Sequence, residues 1–320
     1  MSSLPPWRSS SITAKFPSPS FPRILVNGRL MDIRPNLYLC LTAIKSIKMR
    51  HWRSPIRSPE LLLNDMTYFW IDAICIDQSN IAKRNHQVNM MKRIYSQATT
   101  VLVWLGKADN KTDKVFDSMS SLNLSHDDET RQEWDSRRDE GWLDSQLTTV
   151  FSENILSRPY WGRLWIIQEL MLAQDILLMC GDRALPWRYL TSWLKCSRED
   201  SDGESESTKQ VMETRGYQLL ERKVLWQQNT VPRSRYTLDF LIEAFYDQRC
   251  ADVRDKVYGL LGLLTTDDIS GGNVVEVDYA KTPLELYEDV LVAVKDSPRL
   301  QSQKALDRFS KTLRKALALS

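Results

Sequence analysis

The residue best suited to chemistry is Glu169, the one acid in an otherwise apolar stretch from Leu164 to Ala173. Burial in apolar surroundings raises the pKa of a carboxyl group unless a partner neutralises its charge. A carboxylate held in such a place could stabilise positive charge that develops on a substrate. The alternative is structural: Glu169 pairs with Arg163 or Arg158 and fixes its helix to the rest of the fold. We favour the structural alternative, because ion-pair networks also perturb acids.

Two further acids belong to the apolar run from Tyr68 to Ile76 and to its end. Asp72 is inside the run, where an acid must find hydrogen bonds, and we expect a structural network with an arginine. Asp77 follows the run, at the end of a predicted strand, where ligands bind in open parallel sheets. A role in a site and a role as a helix cap fit Asp77 equally well.

Arg163 and Trp161 are the candidate ligand-binding residues near Glu169. The guanidinium could hold a phosphate, and the indole could stack on a base. The alternative for Trp161, as for Trp70 and Trp165, is packing, because aromatic residues at strand or helical spacing usually lie in a core. The five cysteines are scattered and the three histidines have no ligand cluster nearby, so no metal site is expected.

The elements that must position these residues predict an α/β fold. The run over 68–76 and the stretch over 100–105 are continuously apolar, as strands buried on both faces are. A helical pattern lies between them, which predicts a βαβ unit, and 176–180 predicts a further strand. We therefore predict a central, mostly parallel sheet flanked by helices, with a helical C-terminal extension.

Local signals set several element boundaries. The Asn-Gly pair at 27–28 predicts a hairpin turn, and Asn36 is a candidate cap for the helix that follows. Ser79 or Asn80 is a candidate cap for the helix before the second strand. Thr282, Pro283 and Glu285 have the spacing of a capping box.

Composition divides the chain into five parts. We expect a leader at 1–22 that is disordered or wrongly annotated, an α/β core at 23–195, a disordered polar loop at 196–210, a helical part at 211–298 and a basic amphipathic tail at 299–320. The tail places apolar residues on one side: Leu306, Phe309, Leu313 and Leu317. It could contact an anionic membrane surface or a partner, but we favour docking on its own domain.

The totals exclude several classes of protein. Lys and Arg number 43 against 41 Asp and Glu, a formal net charge of +2, so no nucleic-acid footprint is expected. No apolar run is long enough for a transmembrane segment. The cysteine usage fits a reducing compartment, which predicts a cytoplasmic protein.

Four blocks resemble, in the same order, the heterokaryon incompatibility (HET) domain of filamentous fungi. They are WIDAICIDQ (70–78) with HQVNMMKRIYSQATTVLVWLG (86–106), RPYWGRLWIIQEL (158–170) with CGDRALPW (180–187), RCADVRDKVYGLLGL (249–263) and VDYAKTPLELYEDV (277–290). Trp70, Asp72, Trp165 and Gln168 are structural members of the first two blocks. Arg254 and Asp255 belong to the third, where we expect an ion-pair cluster with Lys256. The resemblance implies an α/β module of self/non-self recognition and programmed cell death that works through protein partners or self-association.

HET domains have also been likened to TIR domains, some of which cleave NAD. Trp165–Glu169 resembles the TIR segment that holds the catalytic acid, which would make Glu169 catalytic and NAD its substrate; no other cofactor is implied. Two departures weaken this reading: Lys83 stands where relatives often have Glu, and Leu4-Pro5-Pro6-Trp7 replaces the usual opening strand S-Y-x-W-G. The chain is thus expected to be an effector or assembly module, with a TIR-like enzyme or an inactive truncated remnant as alternatives.

Overall fold

The computed structural model describes residues 14–15, 21–51, 68–120, 149–199, 206–230, 232–265 and 275–319. The chain forms two compact units, each made of separate segments. The first unit comprises Met1–Ile76, Leu102–Leu156 and Leu177–Met212; the second comprises Asp77–Val101, Ser157–Ile176 and Glu213–Ser320.

The elements are mostly helical. The strands are Ala14–Lys15 (β1), Arg23–Val26 (β2), Arg29–Asp32 (β3), Val101–Trp104 (β4), Ile176–Cys180 (β5) and Arg183–Pro186 (β6). The α-helices are Pro35–His51 (α1), Asp72–Cys75 (α2), Ile81–Gln97 (α3), Asn110–Ser120 (α4), Ile166–Leu172 (α5), Trp187–Glu199 (α6), Glu206–Glu213 (α7), Arg215–Gln227 (α8), Leu238–Phe245 (α9), Asp255–Leu261 (α10), Pro283–Val294 (α11) and Gln303–Ala316 (α12). A π-helix covers Ser152–Leu156, and 3₁₀ turns cover Pro159–Gly162, Arg233–Arg235 and Pro298–Leu300.

The hairpin predicted at the Asn-Gly pair is confirmed. Strands β1, β2 and β3 form an antiparallel sheet in that order. Asn27 and Gly28 have φ values of 50° and 79°, which a two-residue hairpin turn of the primed type requires.

The second sheet has the order β4-β5-β6 and is mixed. Val101 N–H donates to Asp175 O and Leu105 N–H to Met179 O, so β4 and β5 run in the same direction. Strands β5 and β6 are antiparallel, joined by a tight turn in which Gly181 has a φ of +55°. The α/β class is confirmed, but a central, mostly parallel sheet is not found among the described residues.

The strand predicted over 68–76 is wrong. Residues 72–75 form the short helix α2, whose end is closed by a hydrogen bond from Ile76 N–H to Asp72 O. The predicted βαβ unit is therefore not formed. A short apolar run does not distinguish a buried strand from a buried helical turn by its periodicity, which is why the pattern misled.

The core of the first unit lies between α1 and the mixed sheet. Ala43, Ile44 and Ile47 of α1 pack with Leu177 and Met179 of β5 and with Ala184 of β6. The helix begins one residue before Asn36, whose side chain does not act as the expected cap but accepts a hydrogen bond from Trp104 Nε1 at 3.0 Å.

In the second unit, the buried helix α5 packs against α3, α8 and α10. Helix α12 packs on α9 through Phe309 and Leu313, which are fully buried. The amphipathic tail is therefore docked on its own unit, as favoured, and its apolar face is occupied. The capping box at Thr282 is confirmed, as is Asn80 as the cap of α3.

Other predictions concern segments at the edge of the described chain. Within the polar loop expected over 196–210, residues 196–199 belong to α6 and residues 206–210 to α7. Residues 200–205 lie outside the described part. Most of the leader at 1–22, including residues 4–7, also lies outside it. None of the described helices is long and apolar enough to span a bilayer.

Candidate functional site

A buried carboxylate, Asp255, is the centre of a polar network in the second unit. The residue begins α10 and is only 3% exposed. Its carboxylate accepts hydrogen bonds from Trp165 Nε1 at 3.1 Å and from the Tyr279 hydroxyl at 2.5 Å. Arg84 Nη2 approaches it at 3.5 Å. Burial raises the pKa of Asp255, and the hydrogen bonds from Tyr279 and Trp165 partly offset that rise.

A second acid, Asp252, extends the network. Asp252 forms ion pairs with Arg84 at 3.2 Å and with Arg254 at 2.8 Å. Burial acts to raise the pKa of Asp252, but hydrogen bonds and charge from Arg254 and the charge of Arg84 lower it overall. Arg254 also donates to the carbonyl oxygens of Tyr279 at 2.6 Å and Lys281 at 2.7 Å.

Tyr279 contacts both the residues around Asp255 and those around Asp252. The Arg84 guanidinium lies 3.4 Å from the centre of the Tyr279 ring, a cation–π contact. Burial is the main cause that raises the pKa of the Tyr279 hydroxyl, and the neighbouring Asp255 charge raises it further. We call Arg84, Trp165, Asp252, Arg254, Asp255 and Tyr279 the Asp255 network.

The Asp255 network joins segments that are distant in sequence. Arg84 belongs to α3, Trp165 precedes α5, Asp255 begins α10 and Tyr279 precedes α11. The sequence singled out Trp165, Arg254 and Asp255, and the structure brings these three together. It missed Arg84, Asp252 and Tyr279. Asp252 and Tyr279 stand inside the third and fourth blocks, which was a usable signal; Arg84 lies outside the blocks and carried none.

The expected cluster of Arg254, Asp255 and Lys256 is arranged differently. Arg254 pairs with Asp252, and Asp255 with Arg84. Lys256 donates to the carbonyl oxygens of Tyr246 and Gln248. Each charge is thus used to hold a separate piece of backbone or a separate helix.

Small residues let the second and third blocks approach closely. A Cβ at Gly262 would lie 2.6 Å from Gln168 Oε1, and one at Gly259 would lie 3.2 Å from Leu164 Cδ2. Gln168, 1% exposed, donates to Gly259 O at 2.9 Å. Helix α10 therefore lies directly on α5, and the glycines make that contact possible.

Beside the network is an open pocket of about 530 Å³, lined by residues 251–254 and 280–283. Its cationic side chains are held by the protein itself. Arg254 uses Nε, Nη1 and Nη2 in the contacts above, and Lys281 Nζ donates to Asp289 at 2.5 Å. These two cationic groups therefore stabilise the pocket wall through contacts within the protein.

Glu169 lies on α5, half-buried, with the buried phenol of Tyr160 beside it. The Tyr160 hydroxyl donates to Glu169 Oε2 at 3.3 Å. Burial raises the pKa of Tyr160, the charge of Glu169 raises it further, and the charge of Arg163 lowers it. Glu169 and Arg163, two of the residues that the sequence proposed for one site, thus both act electrostatically on Tyr160.

The candidate ligand-binding residues differ in access. Trp161 is 0% exposed and meets the Tyr160 ring edge to face at 5.2 Å. Arg163 is exposed, and its backbone forms a parallel bridge with Arg249. Arg163 is thus an exposed residue, whereas the indole of Trp161 is packed.

Asp77 is exposed at the loop before α3. It accepts from Ser79 Oγ at 2.7 Å and from Lys83 Nζ at 3.1 Å, and these two hydrogen bonds are the main cause that lowers its pKa. Lys83, the departure from the usual Glu, is thus the partner of Asp77. Because Asn80 caps α3, Asp77 does not serve as the helix cap.

Asp72 and Trp70 belong to the first unit. Asp72 is the first residue of α2 and its carboxylate accepts from Ala73 N–H at 2.7 Å, so its mid-strand location was wrong. Among the described residues, no arginine bonds to this carboxylate. Trp70 is half-buried just before the helix.

Comparison with known proteins places the chain in a family. A sequence model described as "Heterokaryon incompatibility protein (HET)" matches residues 7–169, just over half of the 320 residues. The chain belongs to the HET family. The match ends at Glu169, so four members of the Asp255 network lie beyond it: Asp252, Arg254, Asp255 and Tyr279.

One curated relative of this HET chain is "Heterokaryon incompatibility protein 6, OR allele" of Neurospora crassa. It is 27% identical over 300 residues, which cover 80% of this chain and 42% of the relative. The HET chain therefore spans less than half the length of that relative. No solved structure matches it.

Proposed function

We propose that this chain acts in fungal heterokaryon incompatibility as an effector or assembly module that passes on a cell-death signal through protein partners or self-association. Membership of the HET family and the name of the Neurospora relative support the first part. The observation that carries the second part is the Asp255 network, whose charged groups are used within the protein.

The assignment rests on how the network is satisfied. Both carboxylate oxygens of Asp255 accept hydrogen bonds, from Tyr279 and Trp165, and the guanidinium of Arg254 is fully engaged. A general acid or base needs hydrogen-bond reach to a substrate proton. Asp255 and Arg254 already use these groups in hydrogen bonds within the protein, so they make the fold rigid instead. A rigid framework suits a surface that binds another protein.

A second candidate is the TIR-like cleavage of NAD at Glu169. The contact between Glu169 and the Tyr160 hydroxyl favours it, because a half-buried carboxylate beside a phenol could stabilise an oxocarbenium-like ribose. Arg163, exposed and within electrostatic range of Tyr160, could hold a phosphate of the dinucleotide.

Expression of the chain in a fungal host separates the two. We expect growth arrest with unchanged NAD, and we expect Glu169→Gln to be as toxic as the native chain. The matched control is Glu213→Gln, the same change at an exposed position of the second unit. Depletion of NAD that Glu169→Gln abolishes and Glu213→Gln preserves would establish the enzyme instead. Absence of growth arrest with folded protein present would overturn the cell-death proposal.

A further inference from the structure

Positive charge is concentrated around the C-terminal half of α8 and the 3₁₀ turn that follows it. The groups are Arg222 and Lys223 of α8, Arg233 of the turn, and the hydroxyl of Tyr236 directly after the turn. We call these four groups the Arg222 patch. It lies wholly in the second unit and shares no residue with the Asp255 network or with the Glu169 contact.

Arg222 is half-buried and makes no hydrogen bond or ion pair with a described residue. Its guanidinium lies 4.8 Å from the centre of the Phe245 ring. The acids within electrostatic range are Glu221 and Asp247. Asp247 forms its ion pair with Arg215 at 2.7 Å, so Arg222 feels the charge of this acid only at a distance. The five N–H donors of this arginine have no acceptor in the described protein.

Arg233 and Tyr236 are held in place by stacked rings. The Arg233 guanidinium lies 3.5 Å from the centre of the Trp226 ring and donates through Nη2 to Trp226 O at 3.3 Å. Tyr236 meets Trp226 edge to face at 4.7 Å and Phe240 at 5.7 Å. The remaining guanidinium donors and the Tyr236 hydroxyl have no partner among the described residues.

Lys223 is the buried cation of the patch. It is 1% exposed, and Nζ donates to Ala173 O at 2.7 Å and Met171 O at 3.3 Å, at the C-terminus of α5. These carbonyl oxygens accept hydrogen bonds from the ammonium group, but as neutral groups they do not neutralise its charge. The one acid that acts on it, Asp175, does so at a distance too long for an ion pair.

The electrostatics of the four groups agree. Burial lowers the pKa of Arg222 and of Arg233, and it lowers that of Lys223 to about 8, with the Arg233 charge lowering it further. Burial raises the pKa of Tyr236, against the opposing effect of both arginines. Arg222 stands one helical turn before Trp226, whose ring contacts both Arg233 and Tyr236, so the two arginines lie on the same side of this helix. Burying these charges costs free energy, which an added anion would relieve.

We propose that the Arg222 patch is a binding site for a phosphate group, in which Arg222 and Arg233 provide paired N–H donors, Tyr236 a hydroxyl, and Lys223 a fixed positive charge behind them. Planar guanidinium groups match the oxygens of a phosphate and bind them through two parallel hydrogen bonds. The half-buried location of Arg222 beside the Phe245 ring limits the access of water to its donors and strengthens its bonds to a phosphate.

Isothermal titration of the whole chain in phosphate-free buffer tests the site, with inorganic phosphate and pyrophosphate as probes. We expect pyrophosphate to bind with a Kd below about 1 mM and to raise the Tm. Tighter binding of pyrophosphate than of phosphate would indicate a diphosphate ligand; equal binding would indicate a monophosphate. Binding of neither probe would overturn the site.

Three variants assign the binding to these residues. Arg222→Gln should weaken pyrophosphate binding at least about tenfold, and Tyr236→Phe about threefold, since charge-assisted bonds are the stronger ones. Arg235→Gln, an exposed arginine in the same turn, is the matched control and should change the Kd less than about twofold. If Arg222→Gln does not fold, Arg222→Lys keeps the charge but loses the paired donors, and it should weaken binding as well. Equal losses at Arg222 and Arg235 would contradict the proposal.

Discussion

At the scale of single residues, Asp255 and Lys223 are two of the buried charges of the second unit, and they are stabilised in different ways. Asp255 is neutralised by Arg84 and receives two further hydrogen bonds. Lys223 has only carbonyl oxygens as direct partners. Because an isolated charge is costly to bury, the two residues should respond differently to substitution and to pH.

Replacing Asp255 by Asn should destabilise the fold by about 3 kcal/mol, because Arg84 then loses an ion-pair partner and an amide donor faces the Trp165 and Tyr279 donors. The measurement is the shift of the urea midpoint. Asp77→Asn is the control, since Asp77 is exposed and its carboxylate accepts from the nearby Ser79 and from Lys83 in the first turn of α3. A midpoint for Asp255→Asn equal to that of the control would contradict the role given to the network.

Lys223 should make stability rise with pH. Its pKa is lowered from 10.5 to about 8 by burial, so between these values the unfolded chain binds the proton more tightly than the folded chain. The free energy of unfolding therefore increases through this window, by on the order of 3 kcal/mol from this residue.

The comparison of the native chain with Lys223→Met isolates this contribution. Groups such as Tyr279, whose pKa is raised, titrate in both proteins and cancel in the difference. Urea unfolding from below pH 8 to above pH 10 should give a difference that grows with pH. A difference that is flat would show that Lys223 keeps its ordinary pKa.

At the scale of elements, the close approach of α10 to α5 depends on the absence of a side chain at Gly262. Gly262 has a φ of −63°, so an alanine there is acceptable to the backbone, and any destabilisation must come from the side chain. The Cβ of that alanine would clash with the side chain of Gln168, which is itself buried.

Gly262→Ala should destabilise the chain by about 1–3 kcal/mol through overpacking against Gln168. In a Gln168→Ala background the same change should be nearly neutral, because the obstructing side chain is gone. A double-mutant cycle on urea midpoints measures this coupling. Additive effects of the two substitutions would show that the close approach is not what determines the cost.

The elements were largely predictable where a local signal existed. The Asn27-Gly28 turn, the Asn80 and Thr282 caps and the strands at 101–104 and 176–180 follow from turn, cap and apolar patterns. The run over 68–76 was misread because continuous hydrophobicity suits a strand and a helical turn alike. Partners such as Arg84 and Asp255 lie far apart in sequence, and no periodicity or spacing relates them.

At the scale of the whole molecule, the chain passes between its two units after residues 76, 101, 156, 176 and 212. The HET match at 7–169 therefore covers parts of both units and completes neither. It stops inside α5, whose residues Ile166 and Ile167 are fully buried. Helices α8 and α10, which pack against α5, lie after the end of the match.

A fragment of residues 1–169 should accordingly fail to fold on its own. Without α8 and α10, the apolar face of α5 is exposed, and we expect binding of a hydrophobic dye and no cooperative urea transition. The full chain is the control and should unfold cooperatively. A sharp transition with native-like near-ultraviolet circular dichroism for the fragment would contradict this dependence on the later helices.

The alternation of the two units along the chain also constrains how such a gene can vary. If two alleles recombine at a single breakpoint within 77–212, the hybrid protein takes part of each unit from one parent and the rest of that unit from the other. Every hybrid of that kind must reconcile internal surfaces that did not evolve together. Viable allelic diversity should then accumulate through substitutions on the outside of the units rather than through exchange of whole blocks.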